Sequence, residues 1–398
     1  MGVAMSNNYV DLRRLLAREP TGGRRCAERL LKMRASLQDL RKRKSDDTLL
    51  LATWNIRDFE SNKFGYGPRL PESYYYLAEI ISCFDLVALQ EVNRDLTGLE
   101  KLMRILGREW DYIATDATEG HGGNDERMAF VFNTEKVWFR KIAGEVVLPE
   151  GQLVVAQKKV KTPKGAAPAA EPTAAAAAKV KDQYEEVKQQ FARTPFLVAF
   201  QSGWFRFSLC TVHIYYGADS GAKLKQRIAE IERLVEFFAK RQDDDNDAER
   251  DVSGAVENYI VLGDFNVVSP KHKTMEALVS NGFQVPKQID GAKVRKTGDH
   301  FYDQIATRVK DPRFECVGGG MVDMFADVFR EEDLPIYDAF MPASDPESDP
   351  RFHADTREKL FRKWRTWQMS DHRPLWIQIR TDFADKYLQD LLAPPPVP

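Results

Sequence analysis

The chain contains no long hydrophobic run, no cluster of cysteines and no marked excess of charge of either sign. No stretch approaches the roughly 18 apolar residues that a membrane-spanning helix needs, and the N-terminus lacks the basic and apolar segments of a secretory signal. We therefore expect a cytoplasmic protein without integral membrane association. The cysteines form no CxxC pair, so we expect reduced thiols rather than a disulfide framework: Cys26, Cys83, Cys210 and Cys316.

The charge of the chain is nearly balanced, because 58 Lys and Arg stand against 60 Asp and Glu, a formal net charge of −2. Such a chain does not bind nucleic acid through bulk electrostatics, so any recognition of phosphate has to come from a local site. Its 398 residues are 43% hydrophobic and 30% charged, which suffices for a sizeable core and excludes wholesale disorder, collagen and coiled coil. The length allows roughly two to three domains, or one large α/β unit with insertions.

Hydrophobic periodicity predicts an α/β organisation. Apolar residues at helical spacing predict helices over 9–44, interrupted at Pro20 and at the Gly22-Gly23 pair. From Leu49 onward, short apolar runs that end in polar residues alternate with amphipathic segments, which is typical of an α/β fold. The runs predict strands at 49–54, 85–90, 128–133, 196–200, 204–214, 259–265 and 375–379, and helices at 74–82, 96–108 and 222–241.

These elements divide the chain into an N-terminal helical extension (1–47), a large α/β domain (48–382) and a C-terminal tail (383–398). Residues 157–182 are low in complexity and rich in alanine, which predicts a flexible surface insertion. The acidic run at 243–247 lacks the spaced ligands and the glycine of an EF-hand, so we interpret it as a solvated loop. The basic run Arg41–Lys44 could contact a phosphate backbone, but a solvated helix end is the favoured interpretation.

Several polar residues follow directly on predicted strands. In α/β sheets the carboxyl ends of strands form the rim where ligands bind, because groups from different strands converge there. Any one of these residues could be a turn former for local reasons, but the whole set is harder to explain in that way. The residues are Asn55, Glu91, His213, Asp264, Asn266 and the Asp371-His372 pair, which stands just before the last strand.

The residue types in this set indicate metal-assisted hydrolysis of a phosphate ester. Glu91 and Asp371 are hard oxygen donors that suit Mg²⁺ or Mn²⁺, and no Cys/His cluster has zinc spacing. His213 and His372 could transfer protons near neutral pH. In such a reaction the metal offsets charge on the phosphoryl oxygens while a base prepares water.

Four motifs, in this order, resemble the endonuclease/exonuclease/phosphatase superfamily: Thr53-Trp54-Asn55-Ile56-Arg57, Leu89-Gln90-Glu91-Val92, Leu262-Gly263-Asp264-Phe265-Asn266 and Ser370-Asp371-His372-Arg373-Pro374-Leu375. Each motif alone is weak, but the ordered set is specific. The resemblance covers about residues 48–382 and implies a four-layer α/β/β/α sandwich of two mainly antiparallel sheets flanked by helices. Outside it lie the N-terminal helices and the low-complexity insertion.

Two further segments resemble the pancreatic deoxyribonuclease branch of that superfamily. They are Glu126-Arg127 before an apolar strand and Tyr302-Asp303-Gln304-Ile305. A histidine at position 213 agrees with this branch, whereas the abasic-site exonuclease branch has tyrosine there. The resemblance implies that Glu126 orients His213 and that Asp303 orients His372.

The resemblance also implies roles for the remaining residues. Glu91 would bind the metal with help from Asn55 and Asp371, and Asp264 and Asn266 would hold the attacking water and a phosphate oxygen. His372 would act as the base and His213 as the acid or phosphate donor, although the two roles could be reversed. The side chains expected to position phosphates are Arg127, Arg57 and Asn93.

The leading hypothesis is a divalent-metal-dependent phosphodiesterase that acts on nucleic acid, DNA in particular, as an endonuclease. A second hypothesis is a phosphatase or phosphodiesterase of a phosphoinositide, a phospholipid or a small nucleotide, since this fold supports all of these reactions. A third is a catalytically silent phosphate-binding protein, against which the complete polar set argues. The oligomeric state stays open.

Overall fold

The computed structural model describes residues 7–117, 126–159, 184–249, 257–293, 301–344, 347 and 349–392. The strands in these ranges are β1 (Thr48–Phe59), β2 (Leu86–Asn93), β3 (Trp110–Ala114), β4 (Glu126–Asn133), β5 (Trp138–Glu145), β6 (Val154–Lys159), β7 (Tyr184–Gln189), β8 (Phe196–Ser202), β9 (Phe205–His213), β10 (Asn258–Asp264), β11 (Asp303–Arg308), β12 (Cys316–Met321) and β13 (Leu375–Arg380). The α-helices are α1 (Leu12–Arg18), α2 (Pro20–Ser36), α3 (Gln38–Arg41), α4 (Pro71–Ile81), α5 (Thr97–Leu106), α6 (Gly221–Glu249), α7 (Lys273–Leu278), α8 (Leu334–Tyr337), α9 (Arg357–Gln368) and α10 (Ala384–Leu392). Short 3-10 helices span Glu150–Gln152, Met324–Ala326, Glu331–Asp333 and Asp338–Phe340.

The strands form two large mixed sheets and a separate hairpin of β6 and β7. The six-stranded sheet has the order β12-β13-β1-β2-β4-β3, and the five-stranded sheet has the order β11-β10-β9-β8-β5. Each sheet contains one parallel pair, β1 with β2 and β9 with β10, while its other neighbours are antiparallel. Helices α4 and α6 provide the crossovers that parallel neighbours require.

Strand β1 is buried on both of its faces. Leu49 and Leu51 pack in the core between the two sheets, whereas Leu50 and Trp54 belong to the core beneath the outer helices. Successive side chains of a strand point to opposite faces, so a strand between two layers has a continuous apolar sequence. A third cluster joins the five-stranded sheet to α6 and α7. The layers are therefore helices, sheet, sheet and helices, which confirms the predicted four-layer sandwich.

The N-terminal helices are part of the outer helical layer. Cys26 and Leu30 of α2 are buried in the same cluster as residues of α4 and α9. The carboxylate of Glu79 on α4 is fully buried and accepts hydrogen bonds from Asn7 (2.8 Å) and Arg34 (3.1 Å). A buried charge needs such partners, so the extension and the domain stabilise each other.

The basic run Arg41–Lys44 is partly internal, unlike the favoured prediction of a solvated helix end. The guanidinium of Arg41 pairs with Glu79, and the ammonium of Lys44 lies 3.1 Å from Asp85 and donates to the Phe84 carbonyl (2.7 Å). These contacts neutralise part of the positive charge that the sequence places here.

The prediction of a solvated loop at 243–247 is wrong, because these residues continue helix α6 to Glu249. Asp243 pairs with Arg308 (2.9 Å), the last residue of β11, and with Lys310 (3.0 Å), two residues beyond that strand. Gln242 donates to the carbonyl of Arg308 (2.8 Å). These tertiary contacts extend the helix beyond the point where its own sequence predicts an end.

Two peripheral predictions fall at the margins of the described ranges. The low-complexity insertion at 157–182 lies outside them except for its first residues, which complete β6. Within the predicted C-terminal tail, Phe383 is buried, helix α10 follows it, and the ring of Tyr387 lies 5.4 Å from that of Trp204.

The four cysteines are free thiols, as expected. In the part of the chain that the structure describes, no helix is both long enough and apolar enough to cross a membrane.

Candidate active site

The topology brings most of the predicted site residues to one edge of the two facing sheets. Asn55 and Glu91 lie near the carboxyl ends of the parallel pair β1 and β2, and His213 and Asp264 end the parallel pair β9 and β10. In the register of the five-stranded sheet, Asp264 stands opposite His213 on one side and opposite Asp303 on the other. Parallel strands end at the same edge of a sheet, which is why residues far apart in sequence meet here.

The first carboxylate–histidine pair joins β4 to β9 across the two sheets. The Nδ1 atom of His213 lies 2.7 Å from Oε2 of Glu126, and both side chains are more than nine-tenths buried. Burial, followed by the charge of Arg193, lowers the pKa of His213, but the charge of Glu126, its hydrogen bond and the charge of Asp264 together outweigh both and raise the pKa overall.

The second pair joins β11 to the loop that precedes β13. The Nδ1 atom of His372 lies 2.5 Å from Oδ2 of Asp303, whose side chain is fully buried. Burial alone lowers the pKa of His372, but the charge and the hydrogen bond of Asp303 outweigh it, so the pKa of His372 is raised. The backbone of His372 is also held: its amide donates to the Ser370 hydroxyl (2.9 Å), and its carbonyl accepts from Nε1 of Trp54 (3.0 Å).

Both imidazoles direct their second nitrogen toward the same carboxylate. Nε2 of His213 lies 3.8 Å and Nε2 of His372 lies 3.9 Å from Oδ2 of Asp264. These separations exceed hydrogen-bond length, so neither contact occupies an Nε2 atom. Because each Nδ1 is held by its own carboxylate, each Nε2 is oriented toward the space around Asp264. The two histidines can therefore act on one bound group.

Asn55 connects Glu91 to this centre. Its side-chain amide donates to Oε1 of Glu91 (2.8 Å) and to Oδ2 of Asp264 (3.2 Å). Nε2 of His213 lies 3.8 Å from Oε1 of Glu91. Asn55, Glu91, His213, Asp264 and His372 thus form one contiguous cluster across the two sheets.

Backbone strain concentrates at this cluster. Glu91, Asn266, Arg57 and Asp58 have φ angles of 60°, 52°, 53° and 45°, a region that non-glycine residues rarely adopt. The left-handed turn at Arg57 and Asp58 directs the Asp58 amide to Oε2 of Glu91 (2.9 Å) and the Arg57 amide to Oδ1 of Asn55 (3.0 Å). The strained turn therefore fixes both side chains.

Gly263 in the motif before Asp264 has a steric explanation. Its φ is 131°, and a Cβ atom there would lie 2.2 Å from the carbonyl oxygen of Val212. Only glycine allows β9 and β10 to approach so closely at the point where both strands deliver their site residues.

The carboxylates and amides of the cluster fit a divalent metal ion that keeps part of its water shell. No group of three or more His, Cys, Asp or Glu in the described ranges is arranged to hold a metal by itself. Mg²⁺, however, is often bound through one or two carboxylates together with water and substrate phosphate. The carboxylate of Glu91, 18% exposed and beside the amide of Asn55, fits that mode. The residues present therefore suit a Mg²⁺ or Mn²⁺ ion whose coordination is completed by water and substrate. They do not form a site in which protein ligands alone enclose the metal.

Four other predicted site residues make contacts with residues outside the cluster around Asp264. Asp371 lies 3.8 Å from Nε of Arg57, whose Nη1 donates to the Lys363 carbonyl (3.3 Å). Asn93 donates to Asp58 (3.5 Å). Arg127 donates to the carbonyl of Thr115 (2.6 Å) and pairs with Asp116 (3.2 Å). The phosphate-positioning roles of Arg57, Asn93 and Arg127, and the metal-binding role of Asp371, stay predictions.

Asn266 supports Asp264 through its backbone. Its amide N–H donates to Oδ1 of Asp264 (3.0 Å), and its side chain donates to the carbonyl of Ile214 (2.7 Å). Its carbonyl accepts from Arg227 (2.9 Å), a fully buried cation of α6 that the sequence did not single out. The structure thus shows Asn266 as an orienting residue, and its predicted contact with a phosphate oxygen stays a prediction.

Arg193 is a further site residue that sequence reasoning missed. It lies in the segment before β8, with Nε 3.3 Å from Oε2 of Glu126 and Nη1 3.5 Å from the carbonyl of His213. No motif surrounds Arg193, so no signal in the sequence could have located it.

No protein-family model and no curated protein matches this sequence. Solved structures do resemble it. The structure of an endonuclease/exonuclease/phosphatase family protein from Bacteroides thetaiotaomicron has 16% identity and a TM-score of 0.47, covering 84% of this chain and 98% of that one. The superfamily that the motifs resemble is thus found among the similar structures.

Two other similar structures carry different names. A mannosyl-6-phosphatase of Bacteroides thetaiotaomicron has 17% identity and a TM-score of 0.46, covering 83% of this chain and 99% of that one. TDP2 of D. rerio, complexed with a single-strand DNA product, has 12% identity and a TM-score of 0.44, covering 84% and 100%. Likeness at this level concerns the fold and assigns neither activity to this chain.

Proposed function

We propose that this protein hydrolyses phosphodiester bonds with a divalent metal ion, and that nucleic acid, DNA in particular, is its substrate. The single observation that carries the proposal is the convergence of two carboxylate-bound histidines on Asp264, with Nε2 distances of 3.8 and 3.9 Å. Two positioned imidazoles beside one carboxylate provide an acid and a base for the same bond cleavage.

Each proton transfer involves one nitrogen atom of a histidine ring. Nε2 of His372 takes a proton from the attacking water, and Oδ2 of Asp264 orients that water. Nε2 of His213 gives a proton to the leaving oxygen. Asp303 and Glu126 hold the respective Nδ1 protons, which fixes the tautomer of each ring and stabilises its protonated form.

Glu91 and Asn55 are the residues that would hold Mg²⁺ or Mn²⁺, with Asp371 as a further candidate ligand. A divalent ion bound there supplies positive charge that offsets the charge developing on the phosphoryl oxygens. The site needs such a charge, because Glu91 and Asp264 would otherwise repel a phosphate. Arg193 sits behind Glu126 and contributes positive charge at the first histidine pair.

The charge of the site supports a diester rather than a monoester. A phosphodiester brings one negative charge to a site that already holds several carboxylates, whereas a monoester dianion brings close to two near neutral pH. The leaving sugar alkoxide of a nucleic acid also needs a proton, which matches a dedicated acid at His213. The preference for DNA follows the resemblance of the Glu126-Arg127 and Tyr302–Ile305 segments to the deoxyribonuclease branch.

A substrate panel tests the proposal. Purified protein is incubated with supercoiled plasmid, single-stranded DNA, RNA, bis-p-nitrophenyl phosphate and a phosphoinositide, each with Mg²⁺, Mn²⁺ or EDTA. We expect metal-dependent nicking of the plasmid that is lost with EDTA and in His213→Ala, the control against a contaminating nuclease. Turnover of the phosphoinositide without cleavage of any nucleic acid would contradict the substrate assignment, and no turnover at all would indicate a silent binding protein.

A further inference from the structure

Tyr216 is an exposed aromatic residue close to the candidate active site. It follows His213 in the loop between β9 and α6, and 42% of its surface is exposed. Its ring centroid lies 6.0 Å from that of Tyr302, and the Tyr302 ring lies 6.2 Å from the imidazole of His372. The three rings therefore form a row that leads from His372 toward solvent.

Arg227 of α6 holds the Tyr216 ring in place. Its guanidinium carbon lies 4.7 Å from the centroid of that ring, and its side chain is fully buried. Nε of Arg227 donates to the carbonyl of Tyr216 (2.9 Å), and Nη2 donates to the carbonyl of Ala218 (2.7 Å). The hydroxyl of Tyr216 donates to Asp219 (3.0 Å). Because a cation is attracted to an aromatic face, the guanidinium and the ring fix each other in one orientation.

The same guanidinium connects the ring to the centre of the site. Nη1 of Arg227 donates to the carbonyl of Asn266 (2.9 Å), and the amide of Asn266 donates to Oδ1 of Asp264 (3.0 Å). One buried group thus sets the position of the Tyr216 ring relative to the carboxylate toward which both histidines point. A substrate group that binds to the ring is therefore placed at a fixed distance from the bond that is cleaved.

The rigidity of Tyr216 distinguishes it from an ordinary surface tyrosine. Single exposed aromatic residues are common and need no explanation. At Tyr216, however, the backbone, the ring face and the hydroxyl are each held by a contact, so little conformational entropy is lost when a ligand binds. A fixed ring that is partly open to solvent is suited to stack on a flat, uncharged group. In a nucleic acid the flat groups are the bases, each of which has a π face.

We propose that the Tyr216 ring stacks on an unpaired nucleobase next to the phosphodiester that is cleaved, an inference that rests on the proposed function. A base carries no charge, so its binding avoids the repulsion that the carboxylates of the site exert on phosphates. In a duplex each base is paired and covered by its neighbours, and turning it out costs energy. The protein should therefore prefer single-stranded or locally unpaired DNA to a stable duplex.

Steady-state kinetics with two single strands test this contact. The substrates are oligothymidylate and an abasic strand of the same length, in which every base is replaced by hydrogen while the phosphates are unchanged. Tyr216→Ala should raise the KM for oligothymidylate by about tenfold, the order expected for the loss of one base–aromatic stack. The effect should be on KM rather than kcat, because the stack exists before and during bond cleavage. On the abasic strand, the variant and the wild type should have the same KM.

Two further variants provide the controls. Tyr216→Phe keeps the ring and should raise the KM for oligothymidylate much less than Tyr216→Ala does. Tyr387→Ala is the matched control, because Tyr387 is also 42% exposed and packs on Trp204, at the end of β9 away from His213. It should leave both KM values unchanged.

The outcomes separate this inference from the proposed function. Cleavage of oligothymidylate by the wild type with an unchanged KM in Tyr216→Ala would overturn the stacking contact alone. Equal rises of KM on both strands would also overturn it, because they would show that Tyr216 only supports the structure of the loop. Failure of the wild type to cleave either strand with Mg²⁺ or Mn²⁺ would overturn the proposed function and this inference with it.

A duplex of the same sequence tests the expected strand preference. The ratio of kcat/KM on the single strand to kcat/KM on the duplex should exceed one in the wild type. It should fall by about tenfold in Tyr216→Ala, since only the single strand offers an unpaired base to the ring. An equal ratio in the two proteins would contradict the proposal.

Discussion

The two carboxylate–histidine pairs have the same plan but different surroundings. In each, a buried carboxylate holds Nδ1 while Nε2 faces Asp264. Asp303 is completely buried and its second oxygen, Oδ1, makes no hydrogen bond. Glu126 instead has Arg193 3.3 Å from its carboxylate.

This difference separates the two roles. The charge of Asp303 acts on His372 in a fully buried setting, where it strongly favours the protonated ring. At the other pair, the charge of Arg193 opposes protonation of His213, although the pKa of this ring is still raised overall. The base role of His372 rests on the resemblance, whereas the raised pKa of its ring favours the reversed assignment, in which His372 is the acid and His213 the base.

The largest effect is expected at the residue that both pairs share. Asp264→Ala should lower kcat/KM by at least about 10³, because it removes the carboxylate toward which both Nε2 atoms point. Steady-state kinetics with plasmid and circular dichroism of the variant measure activity and folding together. Asp311→Ala removes another buried carboxylate, paired with Arg313 at 2.8 Å, and should keep its activity. Near-normal activity in Asp264→Ala would show that the pairs do not work at one centre.

The next effect distinguishes the two carboxylates. Asp303→Asn should lower kcat/KM by about 10² to 10³, and Glu126→Gln should cost about tenfold less. The reason is that Asp303 is completely buried, and that His213 has Glu91 3.8 Å from its Nε2 in addition to the Asp264 carboxylate that lies near both rings. Parallel kinetics of the two variants check this order. A larger loss in Glu126→Gln would reverse the comparison.

A smaller effect is expected in the pH profile. The charge of Arg193 lowers the pKa of His213, so Arg193→Gln should raise that pKa. If His213 is the acid, the protonated ring is the active form, and the alkaline limb of kcat/KM against pH should move to higher pH. Movement of the acidic limb instead would make His213 the base. Arg206→Gln, at the other end of β9, is the control and should leave both limbs in place.

The smallest effect concerns a buried carboxylate that has no histidine. Glu230 on α6 is 1% exposed and accepts from Gln226 (3.2 Å) and the Tyr215 amide (3.4 Å), and burial raises its pKa from 4.5 to about 6. Above pH 6 its charge destabilises the folded state, and below pH 4.5 it is protonated in both states. Glu230→Gln should therefore stabilise the protein by at most about 2 kcal/mol at pH 8 and by nearly nothing at pH 4, as urea unfolding would measure. Equal gains at both values would rule out the charge as the cause.

The sequence located most of the site because the relevant signals are local. Asn55, Glu91, His213 and Asp264 end apolar runs, and the rule that parallel strands end at one edge brings them together without further information. The layers of the fold were implied by the resemblance to the superfamily, and the continuous apolar run at 49–54 agrees with them, since such a run requires a strand covered on both faces.

Other features depended on contacts that no local pattern encodes. The guanidinium of Arg127 turns to Thr115 and Asp116, and Arg193 reaches Glu126 from a segment 67 residues later in the chain. The acidic end of α6 stays helical because Arg308 and Lys310 pair with Asp243. Strand β5 was missed since its residues are largely exposed and show no clear alternation.

The assignment of one histidine as acid and the other as base is tested most directly by changing the leaving group of the substrate. p-Nitrophenolate departs without a proton, whereas the sugar alkoxide of DNA needs one, so only the second substrate depends on the acid. On a nucleoside p-nitrophenyl phosphodiester, His213→Ala should retain most of its activity, while on DNA it should lose 10² or more. His372→Ala should lose activity on both substrates. Equal losses for both variants on both substrates would contradict an acid and a base that meet at Asp264.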